Sequence, residues 1–159
     1  MGSRPRIAIR RLRRADAREW HRMRRALWPR HSARDLAKEE RWYRTSPRVV
    51  VFVAERPDGR LGGFVEATAF RRSGGWEPQP DGYVEGWWVD PDLRRHGVGR
   101  RLIGAVEAWC RARGLAWIGS DTHPTNRVSR SAHRALRYDE VEELVIFRKR
   151  LRRPVRTRG

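Results

Sequence analysis

Two glycines, Gly97 and Gly99, stand one residue apart in the run "VDPDLRRHGVGRR" (89–101), among Arg94, Arg95, Arg100 and Arg101. Glycine inside a helix costs about 1 kcal/mol relative to alanine. Yet Leu102, Ile103, Val106, Trp109 and Cys110 follow at helical spacing, so the glycines fall at a helix start. The first N–H groups of a helix have no intrahelical acceptor and carry the positive end of its dipole. Bare backbone there lets an anion approach without meeting a Cβ, and the arginines add charge. Neither the Gly-Lys-Ser/Thr ending of a nucleotide P-loop nor the dinucleotide pattern G-x-G-x-x-G is present. The chemistry this stretch can do is to cradle a pyrophosphate.

The elements that must carry it follow from periodicity. "IAIRRL" (7–12) alternates as a first strand. Asp16 can cap a helix bearing Trp20, Met23 and Leu27, which Pro29 stops. Ser32 and Asp35 form a weak capping box for a second helix running to about Tyr43. "PRVVVFVAE" (47–55) and "LGGFVEATAF" (61–70) are strands joined by a turn at Asp58-Gly59. A Gly/Pro-rich loop (71–82) leads to the strand "YVEGWWV" (83–89), where Gly86 marks a bulge or a close backbone approach. The helix after Gly97 and Gly99 ends at Gly114. "AWIGSD" (116–121) is a strand, "NRVSRSAHRAL" (126–136) a short helix, and "EVEELVIFRKRL" (140–151) a final strand. The order β-α-α-β-β-β-α-β-α-β predicts an α/β (α+β) fold, a mixed sheet with helices on both faces. It forms one domain over 1–151, followed by a basic tail, 152–159.

A chain of 159 residues with 38% hydrophobic residues can bury a core. It shows no apolar run of membrane length and no signal-peptide core, so the expected location is the cytoplasm. The single cysteine, Cys110, excludes an internal disulfide and reads as core filler, and no His/Cys/Asp/Glu spacing supports a metal site. The net charge of +18 is compatible with a nucleic-acid-binding module. Only Lys38 and Lys149 among the 37 basic residues are lysines, which points instead to an arginine-favouring composition, and nucleic acid is not the expected partner.

Arg94-x-x-Gly97-x-Gly99 after a strand resembles the acetyl-CoA signature of the GNAT N-acetyltransferase superfamily. The segments "ALWPRH" (26–31), "YVEGWWVDP" (83–91), "SDTHPTNRVSRSAHRAL" (120–136) and "VIFRKR" (145–150) resemble the aminoglycoside 6′-N-acetyltransferases within it. The resemblance spans Ile7 to Leu151. It implies a GNAT-like sheet whose central strands splay between 83–89 and 117–121, with acetyl-CoA as cosubstrate in the cleft. The pyrophosphate would lie on backbone from Arg95 through His96, Gly97, Val98 and Gly99 to Arg100. The pantetheine would run beside Trp88 and Val89 and touch Asn126. Asp121 is implied as general base with Glu85 as the alternative, and both, with Trp28 and Glu77, as acceptor contacts. A polycationic acceptor needs a local acidic pocket in so basic a chain; Glu66, Glu140, Glu142 and Glu143 are further candidates for it.

Two departures from the family pattern stand out. His133 occupies the position where many members place a Tyr that protonates the leaving thiolate, and Arg137-Tyr138 replaces Gly-Phe. The resemblance further implies a homodimer. Two other functions remain open: the same transfer to another amine (a protein N-terminus or a polyamine), and the arginine-rich nucleic-acid-binding module.

Overall fold

Alternating apolar residues build a sheet before any helix packs on it. The structure, a computed structural model, describes residues 6–69, 82–143 and 145. Five strands lie in the order β1 (Ala8–Arg11), β2 (Val49–Glu55), β3 (Leu61–Ala69), β4 (Gly82–Val89) and β5 (Ile118–Ser120). The first four pair antiparallel, and β5 joins β4 in parallel. The chain divides into two compact units, Met1–Asp121 and Thr122–Gly159. The first holds the sheet with α1 (Ala17–Leu27), α2 (Ala33–Thr45) and α3 (Val98–Arg111); the second holds α4 (Arg127–Ala135).

The two faces of β3 receive different helices. Phe64 packs with Trp20 and Met23 of α1, all fully buried, while a Cβ on neighbouring Gly63 would meet Leu102 of α3. Burying each such large apolar side chain contributes about 1.5–3 kcal/mol. Helices therefore cover both faces, as the periodicity predicts.

Most local signals act as expected. The Ser32 capping box forms, with the Ser32 hydroxyl accepting from the Asp35 N–H at 3.2 Å. Gly114 ends the α3 region at φ 70°. Asp16 is the residue preceding α1, but its carboxylate makes no cap hydrogen bond. It accepts instead from the Arg10 guanidinium, at 2.7 and 3.0 Å, and from the Arg13 N–H. An arginine fork offers two charge-assisted bonds where a helix N–H offers one. The expected last strand is not seen at Glu140–Glu143 or at Val145; its other residues, 144 and 146–151, lie outside the described residues, as does the tail.

Candidate active site

β4 carries the geometry that matters. It stays paired with β3 along its whole length, but with β5 only through Gly82↔Ile118, Tyr83↔Gly119 and Val84↔Ser120. From Glu85 to Val89 no strand lies on that side among the described residues. The expected splay therefore opens after Val84. At the same point β4 bulges, since Glu66 pairs with Gly86 and Ala67 with Val84, leaving Glu85 as the extra residue. The bulge foreseen at Gly86 is thus centred one residue earlier, and it re-aims a carboxylate.

Glu85 Oε1 accepts from the Thr68 hydroxyl at 2.8 Å. Asp121, directly after β5, accepts from the Tyr83 phenol at 2.5 Å. The two expected acidic residues therefore stand where the strands part. Gly86 is small for a packing reason: an added Cβ would lie 2.3 Å from Cη2 of Trp28. Trp28 is half-buried, stacked on His31 at 5.4 Å between ring centroids, with the Arg24 guanidinium 5.1 Å from its ring. Part of Trp28 is thus core and part is open surface. Glu77 lies outside the described residues.

Beneath Trp28 is a cluster the sequence places elsewhere. Glu66, a candidate for the acidic pocket, is fully buried and contributes nothing to a solvent-facing wall. It accepts from the Trp20 indole N–H at 2.8 Å, and the Arg24 Nε lies 2.8 Å from the same oxygen, Oε1. Arg24 also pairs with Glu39. Burial pushes the Glu66 carboxyl up to about 7 against the opposing pull of Arg24, Tyr43 and Trp20.

The far end of β4 is pinned by charge. Arg22 donates to Asp90 at 3.0 Å and to the Leu61 carbonyl, and Arg56 donates to Asp90 and Asp92. Burial alone would raise the Asp90 carboxyl, but hydrogen bonds from Arg22, Trp88 and Arg56 hold it below its ordinary value. The turn to α3 then runs through two left-handed residues, Arg95 (φ 63°) and Gly97 (φ 80°). The first backbone bond of α3 is Arg101 N–H to Gly97 O, 3.1 Å, so the Val98 and Gly99 amides precede it at the positive end of the dipole.

The two glycines have separate reasons. Gly97 needs its left-handed backbone and has open space where a Cβ would go; Gly99 abuts the Trp87 indole, 2.7 Å from the place of a Cβ. Sequence reasoning assigned both to phosphate approach, and for Gly99 the neighbouring ring is a sufficient cause. Two arginines are also held away from a purely electrostatic role. Arg94 donates to the Val89 carbonyl at 2.9 Å and lies over Trp88, and Arg101 donates to the Ile7 carbonyl. His96 Nδ1 contacts the Arg94 carbonyl at 2.8 Å.

This arrangement, a splayed parallel pair leading into a glycine-opened helix, has counterparts among known proteins. The acetyltransferase (GNAT) family profile matches residues 11–137. The chain is a GNAT acetyltransferase.

Relatives of this acetyltransferase narrow the comparison. It is 37% identical to an aminoglycoside N(6′)-acetyltransferase type 1 of Stenotrophomonas maltophilia, over 84% of this chain and 87% of that one. It is 32% identical to the protein of that name in Salmonella typhimurium, over 89% and 98%. Among solved structures, aminoglycoside acetyltransferase AAC(6′)-Iy in complex with CoA superposes with TM-score 0.84 at 28% identity, covering 95% of this chain and 99% of that one. The same enzyme with a bisubstrate analogue, CoA-S-monomethyl-acetylneamine, gives 0.81 at 29% identity, covering 91% and 99%.

In the second unit of the acetyltransferase, Asn126 caps α4, its side chain accepting from the Ser129 N–H at 3.1 Å. His133 Nδ1 lies 2.8 Å from the Ser129 carbonyl, which makes Nδ1 the proton-bearing nitrogen. Glu140 is drawn well down, to about 2, by hydrogen bonds from Arg130 and Arg134. It is committed to those arginines rather than to an acidic pocket. Tyr83 was missed in the sequence because its partnership with Asp121 depends on the parallel register of β4 and β5, and no local pattern encodes that.

Proposed function

We propose that the chain transfers the acetyl group of acetyl-CoA directly to the 6′-amine of an aminoglycoside. The observation that carries this reading is that Glu85 and Asp121 stand where β4 and β5 part. The aminoglycoside acetyltransferases it resembles support it. The Val98 and Gly99 amides, opened by the left-handed Gly97, fit a pyrophosphate; Arg95, His96 and Arg100 belong to the same turn and helix start, and the two arginines would add charge beside it. Backbone near Trp88 and Val89, on the side of β4 that β5 does not cover, would hold the pantetheine arm, and one main-chain N–H there would stabilise the oxyanion formed when the amine attacks the thioester. Asn126 is the residue that the resemblance assigns to the pantetheine arm.

Asp121 accepts the amine proton, directly or through one water, and Glu85 holds the acceptor's charge beside it. Trp28 supplies an aromatic surface for a sugar ring, and Glu77 borders the acceptor. As the C–S bond breaks, the thiolate takes a proton from solvent or from His133. Because Nδ1 is engaged with Ser129, His133 can donate from Nε2 only as the imidazolium. The reading includes one acetyltransferase domain over 1–151, a cytoplasmic location and a homodimer, the last checked by sedimentation.

The deciding experiment is thiol release from acetyl-CoA across a panel of amines: kanamycin, a polyamine and peptides with free N-termini. Turnover of kanamycin with a product acetylated at the 6′ position is expected. Turnover confined to peptides or polyamines overturns the aminoglycoside reading.

A further inference from the structure

Asp121 sits one residue past a three-residue strand and is exposed. An exposed aspartate outside regular structure has more than one staggered rotamer open to it. Tyr83, by contrast, is 3% exposed, and its ring is fixed inside the paired part of β4. Its phenol emerges at the point where the strands separate, and its O–H lies 2.5 Å from Asp121 Oδ2, at the short end of hydroxyl–carboxylate bonds. One strand over, Thr68 does the same for Glu85 at 2.8 Å. Each of the two carboxylates thus accepts from a hydroxyl rooted in the sheet.

We propose that Tyr83 is a positioning residue for acyl transfer: its phenol locks Oδ2 of Asp121 and leaves Oδ1 to take the amine proton. The inference rests on the reading of Asp121 as general base. Donation to Oδ2 turns a mobile surface carboxylate into one of fixed direction, and proton abstraction depends on that direction. The phenol needs no contact with either substrate.

Four full-length proteins test it: wild type, Tyr83→Phe, Asp121→Asn and the double variant, assayed with kanamycin and acetyl-CoA. Phenylalanine retains the buried ring, so the fold survives, which a melting curve verifies. Tyr83→Phe lowers kcat roughly tenfold with both KM values within about twofold. In the Asp121→Asn background the same change costs less than about twofold, because there is no base left to orient. An equal loss in both backgrounds, or a Tyr83→Phe enzyme with wild-type kcat, overturns the inference while leaving Asp121 as base. Wild-type kcat in Asp121→Asn refutes the base reading itself, and the inference falls with it.

Discussion

Glu66→Gln isolates the most perturbed carboxyl of the sheet. The Glu66 carboxyl is pushed from 4.5 to about 7 by complete burial. Between those values the folded chain binds a proton at Glu66 that the unfolded chain releases, so stability falls as pH rises through the window. At 1.36 kcal/mol per unit, a rise of about 2.5 units is worth about 3 kcal/mol. Below about pH 4.5 the full contribution is present; above about 7 it is gone. Glutamine keeps the shape and an acceptor for the Trp20 indole N–H, and Arg24 keeps Glu39. Urea unfolding followed by tryptophan fluorescence at pH 5, 6, 7 and 8 reads the effect. The variant is expected within about 1 kcal/mol of wild type at pH 5, and to gain on it by about 2.5 kcal/mol on going to pH 8, since part of the effect is already lost below pH 5. Asp16, Asp90 and Glu140 are held below their ordinary values and act at lower pH, outside this window. A difference between the two proteins that is constant with pH, or that shrinks as pH rises, refutes the argument.

Three further outcomes follow from the site. Gly86→Ala drives a Cβ into the Trp28 ring, so the ring shifts: kanamycin KM rises severalfold, about 1 kcal/mol of binding, while acetyl-CoA KM in steady-state assays holds. Gly97→Ala strains a left-handed backbone by about 1–2 kcal/mol and reorients the first amides of α3, raising acetyl-CoA KM; unchanged cofactor affinity in a folded variant removes the phosphate cradle. Gly99→Ala instead overpacks Trp87 and costs about 1–3 kcal/mol, read as a lowered melting temperature; an unaltered melting curve shows that the indole yields freely.

What the sequence made legible was local. The Ser32 box, the stop before Pro29, the irregularity at Gly86 and the glycine start of α3 each depend on a few adjacent residues, and each is in place. Glu85 and Asp121 could be singled out because strand ends are short-range features. The misplaced readings involve partners that lie on other elements. Glu66 looked available for a cationic acceptor because its burial under α1 depends on Trp20 and Arg24, more than forty residues away. Gly99 looked like a phosphate glycine because Trp87 lies on another element. Asp16 left its cap because Arg10 offered two bonds.

β4 also works as a ruler. From Gly86 to Val89 it stays paired with β3, and a strand advances about 3.3 Å per residue. The separation between the bulge and the helix-opening turn is therefore counted in residues of one braced strand, with no hinge between. Residues around Trp28 can change to suit acceptors of different shape without altering that count. Inserting or deleting a single residue in β4 has the opposite effect: every later side chain turns to the other face, and the bulge and the turn lose their common scale. Acceptor preference is thus free to diversify around an axis whose length is not.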